Sequence, residues 1–221
     1  MTALLPRLFA LAWLAYFVSG DRVVAELAAA QAARPPLHVE CAVSSSASYA
    51  PTSLSIDLHP EFGMRVADDR GGRWVVLRGR VLAGTTLPPP AWLPDLEVLA
   101  LRHESDLLVW LGVQGIDVTA NELARCGDGD CYVLGTRQSL AQLWIEKRPL
   151  EVRRLVLPGR GHSDFEEWRS FEGIRFPARI EISRAEGTAT LAVESATAAG
   201  PLTAGDFSQS WVQAAPAVGE R

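Results

Sequence analysis

Three stretches hold residues whose types and spacing support chemistry. "CGDGDC" at 126–131 sets two cysteines around a Gly-Asp-Gly-Asp core, the opening of a zinc site, a calcium loop, a redox pair or a cross-strand disulfide. "GRGHSDFEE" at 159–167 gathers His162, Ser163, Asp164, Glu166 and Glu167, and "VECAV" carries the remaining cysteine, Cys41. A four-ligand zinc site lacks partners, because Cys41 is distant and no histidine lies near Cys126 and Cys131. Gly127 to Asp130 offers calcium two carboxylates but not the further acids of a twelve-residue loop, and Asp and Gly are ordinary hairpin residues. Neighbours on one loop rarely converge as triad members do, so 159–167 reads as a polar loop before a strand. The chain's 4 histidines stand in dissimilar contexts, and no serine occupies a Gly-x-Ser-x-Gly elbow. Cys41 shares a strand face with Val39 and Val43, the setting of a buried, unreactive thiol. The expectation is a protein that is not an enzyme, with no catalytic residue, no metal and no cofactor.

The compartment decides how the cysteine pair is read. "MTALLPR" carries one positive charge and precedes "LFALAWLAYFVSG", an apolar run of leader length ending in small residues. Residues 1–20 therefore read as a signal peptide, with Val18 and Gly20 at the small-residue positions and a mature chain from near Asp21, exported to the periplasm. Oxidising compartments favour disulfides. A four-residue turn sets Cys126 and Cys131 opposite each other, within the roughly 5.5 Å Cα separation a disulfide needs. The chain has 221 residues and a net charge of −5 with no basic run, which excludes a nucleic-acid partner and allows one domain with a sizeable core.

The elements that position these residues follow from periodicity. "DRVVAELAAAQAA" at 21–33 reads as a helix. "LHVECAVS", "TSLSIDLH", "FGMRVAD" and "RWVVLRGRVLAG" alternate as half-buried strands do. After the proline-rich joint "GTTLPPPAW" at 84–92 the period becomes helical, over 106–114 with Ser105 as N-cap and Gly115 as stop, and over 94–102. From 121 the strand pattern returns, with turns at "KRP" and "EG". Short junctions predict a single curved antiparallel sheet with strands paired in order, a mainly β (α+β) fold whose helices cover the concave face. Leu54, Ile56 and Leu58 share one inward face; Val75, Leu77 and Val81 share another, opposite Arg78 and Arg80. Trp74, Trp144 and Trp168 read as core, as does Trp110 on the 106–114 helix.

"AQLWIEKRPLEVRRLVLPG" followed by "FEEWRSFEGIRFPARIEISRAEGTATLAVESATAAGPLTAGDF" resembles the LolA-like outer-membrane lipoprotein carriers and their envelope relatives, over residues 138–207. The resemblance implies an unclosed β-barrel, helices forming a lid over an apolar cavity that accepts acyl chains, and no cofactor or covalent chemistry. It implies a domain over 21–208, a tail over 209–221, and lipid or acylated lipoprotein as partner, with an envelope membrane protein as donor or acceptor. The family uses an arginine on an early strand; Arg65, Arg73 and Arg78 each match, and none is assigned the role. Leu54, Ile56, Leu58, Val75, Leu77, Val81, Leu107, Trp110 and Leu111 are the candidates to line such a cavity. The other reading is an envelope interaction domain whose helices fill the cavity.

Overall fold

The computed structural model describes residues 18–46, 50–86, 89–135 and 141–214. Most of the expected leader, residues 1–17, lies outside them. Helix α1 (Gly20–Ala32) starts where Ser19, in extended backbone, accepts the Arg22 N–H on its side-chain oxygen at 3.4 Å. It buries Val23, Val24, Leu27 and Ala28 along one stripe. Gly20 sits so close to the 118 carbonyl that a Cβ would lie 1.8 Å from its oxygen, and the Val18 carbonyl accepts from Asn121 Nδ2 at 2.9 Å. The residues just before the expected mature start at Asp21 are thus packed into the domain.

Twelve strands form one antiparallel sheet: β1 (Leu37–Ser45), β2 (Ser53–His59), β3 (Gly63–Asp68), β4 (Arg73–Leu77), β5 (Arg80–Gly84), β6 (Asn121–Cys126), β7 (Gly129–Leu134), β8 (Gln142–Lys147), β9 (Leu150–Leu157), β10 (Gly161–Phe171), β11 (Ile174–Arg184) and β12 (Gly187–Ala198). The order is β5-β4-β3-β2-β1-β12-β11-β10-β9-β8-β7-β6, with β5 and β6 at the two free edges, so the barrel is unclosed. The sheet departs from purely sequential pairing here. The chain winds outward from β1 to β5, crosses to the far edge, and winds back from β6 until β12 closes on β1. The crossing segment carries α2 (Leu93–Leu96), a 3₁₀ turn (Glu97–Leu99) and α3 (Glu104–Gln114). With α1 it lies over the concave face, and side chains from helices and strands form one core. No helix among the described residues is long and apolar enough to cross a membrane.

Several expectations need correction. The α3 cap is His103, in extended backbone, and Ser105 lies inside the first turn; Gly115 ends the helix in the left-handed conformation at φ 76°, as expected. "RWVVLRGRVLAG" is a hairpin turning at Arg78–Gly79, not one run. The stretch 159–167 belongs mostly to β10, with Ser163 buried on the core side, not to a loop. The cysteine hairpin turns on Gly127 and Asp128 alone, pairing Cys126 with Gly129 and Ala124 with Cys131. The cysteines are therefore diagonal rather than opposite, and still bridge at a Cα separation of 5.8 Å. Residues expected as a tail include α4 (Gln209–Gln213), which packs on the outer face of β3–β5. There Arg65 and Arg73 stack on Trp211 at 5.1 and 4.9 Å, and Arg65 also pairs with Asp57.

Candidate functional site

The nine cavity candidates divide. Leu54, Ile56, Leu58, Leu107, Trp110 and Leu111 meet in the main core, and Val81 packs against it. Val75 does not: Trp74 and Val76 take the core side, and Val75 faces outward into a small second cluster with Phe207 and Val212. Leu77 is partly exposed and belongs to neither cluster. Leu107, Trp110 and Leu111 are each 0% exposed, so beneath α3 the helix and the sheet pack directly against each other.

Open apolar space lies elsewhere. A groove of about 480 Å³ runs between the proline-rich joint, Pro89 to Trp92, and the ends of β1, β11 and β12 at Ser45, Ile182 and Ala189. Prolines lack the N–H that a backbone would otherwise turn toward a ligand, so Pro89 and Pro90 bring ring carbons and carbonyl acceptors to this wall but no backbone donor. None of the nine candidates lines it. The pointer in the sequence is the Pro-Pro-Pro-Ala-Trp run itself, read above only as a joint.

Two buried acids of the crossing segment fasten it to strands far apart in the sheet. Asp95 of α2 pairs with Arg184 of β11, which lines the groove; their side chains are 1% and 6% exposed. The Ser163 hydroxyl donates to the same carboxylate at 2.7 Å, and the Arg184 guanidinium donates to the 162 and 183 carbonyls at 2.6 and 2.9 Å. Burial pushes the Asp95 carboxyl up, and the Arg184 cation opposes it. On the other side Glu97 accepts the Arg78 and Gly79 N–H groups of the β4–β5 turn, both at 2.6 Å. Arg78 holds φ 51° there and pairs with Asp106 of α3 at 2.9 Å. Trp110 Nε1 donates to the Pro94 carbonyl at 3.1 Å, joining α3 to α2.

Burial pushes the Glu97 carboxyl up from 4.5 to about 7, against the pull of the two N–H donors. The folded chain then keeps a proton that the unfolded chain releases at its ordinary value. This contribution to stability is complete below about pH 4.5 and is lost as pH rises through about 7. Chemical denaturation between pH 5 and 8 should show Glu97 costing about 3 kcal/mol, and Glu97→Gln should flatten the slope; an unchanged slope would disprove this burial.

A second, larger cavity of about 700 Å³ lies on the outer side of β8–β10, against Trp144, Glu146, Arg153, Arg154 and Asp164. Its charges pair internally, Arg153 with Glu146 and Arg154 with Asp164, which suits it poorly to an acyl chain. Cys41 is buried, and loss of hydration, reinforced by Glu40 and Glu194, pushes its thiol up to about 12, far from nucleophilic at neutral pH. Among the described residues, no group of three or more His, Cys, Asp or Glu is placed to hold a metal ion.

No family model matches the chain, and no curated protein matches it. Among solved structures it is similar to a LolA superfamily protein from Nitrosomonas europaea, at 14% identity over 88% of this chain and 100% of that one, with a TM-score of 0.48. It is also similar to a DUF1329 family protein from Desulfovibrio piger, at 12% identity over 89% of this chain and 100% of that one, with a TM-score of 0.48.

Proposed function

We propose that this is an exported periplasmic protein that binds the acyl chains of a lipid or acylated lipoprotein in the groove beside the proline-rich joint, as a carrier or sensor without covalent chemistry. The observation that carries the reading is the groove. It is a concave space of about 480 Å³ with proline, Trp92, Ile182 and Ala189 on its walls, within the size range of small-ligand sites. It opens at one end of the covered face of an unclosed antiparallel barrel, and residues 138–207 resemble lipoprotein carriers. The donor or acceptor in this reading is an envelope membrane protein.

The packing under α3 favours a second reading. There the helices fill the concave face, as in an envelope domain that acts through protein contacts. A fluorescent fatty-acid titration separates the two. The parent should bind the probe saturably, and Ala189→Trp, which fills the groove from its partly buried rim, should weaken binding at least tenfold while the melting temperature holds. A parent that never takes up the probe leaves the interaction domain standing.

A further inference from the structure

The register places the start of β1, the end of β2, the start of β9, the end of β10, the start of β11 and the end of β12 at the end of the sheet away from the groove. Arg34 follows α1, Arg102 precedes α3, and Arg175 lies on β11; all three gather at this end. Here the sheet is split: the β9–β10 ladder stops at Asp164 opposite Arg154, and the β10–β11 ladder skips Glu167, at φ 51°, without a change of register. Trp168 fills the split, its Nε1 donating to the 152 and 165 carbonyls at 3.2 Å, which fixes the indole as a platform. The Arg34 guanidinium lies over that ring at 5.7 Å.

The arginines here differ in what they meet. Glu151 is 2% exposed and is held by Arg175 at 2.5 Å and Arg153 at 3.4 Å, while Arg153 also pairs with Glu146. Arg34 and Arg102 have no ion pair among the described residues. Arg34 Nη1 is buried without a hydrogen-bond partner, and Arg102 donates only to the 35 carbonyl. Neither Arg34 nor Arg102 thus has a carboxylate within ion-pair distance, in a chain whose net charge is −5. Burial lowers the pKa of both Arg34 and Arg102; at Arg34 the nearby Glu151 carboxylate opposes this and Arg175 adds to it, and at Arg102 the neighbouring Arg34 adds to it. A partly buried cation without an anion is unfavourable, and a guanidinium is shaped to meet two acceptor oxygens at once.

We propose that this end of the sheet is a binding site for a phosphate group, with Arg34 and Arg102 as its direct ligands and Arg175 supplying further charge. Two guanidiniums without an ion pair, brought together from two separate segments, match a dianion with several acceptor oxygens better than a single carboxylate. The phosphate is either free or the headgroup of an anionic lipid. The site stands apart from the groove and does not rest on the acyl-chain reading.

Thermal melts in inorganic phosphate, against chloride at equal ionic strength, test it. Phosphate at about ten times its Kd should raise the melting temperature by roughly 3–6 °C. Arg102→Gln, half-exposed and bonded only to a carbonyl, should stay folded and weaken the effect at least tenfold; Arg34→Gln should abolish it. Flotation with phosphatidylglycerol and phosphatidylcholine vesicles identifies the source. Capture by the anionic vesicles alone, lost in Arg102→Gln, assigns a headgroup; a melting shift without capture assigns free phosphate. Binding of neither phosphate nor anionic vesicles, or binding by both variants equal to the parent's, would overturn the proposal.

Discussion

Leu111→Asp should remove more than about 4 kcal/mol of stability and lower the melting temperature sharply. Leu111 is 0% exposed and packs with Leu107, Trp110 and the strands beneath α3. A carboxylate placed there meets no partner and no water, a change in the rare class that costs more than about 4 kcal/mol. Against total stabilities of about 5–15 kcal/mol, such a loss takes from about a quarter to most of the margin. Leu111→Ala removes only packing and should cost about 2–5 kcal/mol. Urea titration followed by circular dichroism reads both. A Leu111→Asp protein that melts within a degree or two of the parent would mean that ligand space, not core, lies under α3.

Arg184→Leu should cost about 3–5 kcal/mol, because it strands the Asp95 carboxylate, 1% exposed, without its cation. Most of that loss should return in the double variant Asp95→Asn, Arg184→Leu, which removes the stranded charge instead of leaving it. Acid should also restore the single variant, since protonation neutralises Asp95, whose carboxyl burial already pushes up. Denaturation of the parent, both single variants and the double variant gives the coupling directly. Additive losses would show that the pair does not hold α2 to β11.

What the sequence made legible was local. Alternation marked β1, β2 and β3 and placed Leu54, Ile56 and Leu58 inward, because each strand is one uninterrupted run with a buried face. The α3 helix and its Gly115 stop were equally plain. The phase failed in "RWVVLRGRVL", where two adjacent valines fit either face. The turn at Arg78–Gly79 and a register shift between Val75 and Val76 send Val75 outward and bring Val76 opposite Val81. Short junctions predicted pairing in order, and they hold everywhere except the β5-to-β6 crossing, whose helices carry the chain from one free edge to the other. The groove and the arginine end were illegible for a common reason. Each is assembled from strand ends distant in sequence, and Arg34, Arg102 and Arg175 look like ordinary surface cations until the register brings them to one place. Ser163 misled in the same way, since its partner Asp95 lies on a helix whose position no spacing reveals.

The claim that acyl chains occupy the groove is tested most directly by photo-cross-linking a diazirine fatty acid to the purified protein and mapping the adducts by peptide mass spectrometry. The account predicts adducts concentrated on Pro89–Trp92 and on β11 and β12 around Ile182 and Ala189, competed away by unlabelled fatty acid. Saturable adducts on α3 and the strands beneath it, with the groove unlabelled, or no saturable adduct at all, would contradict it.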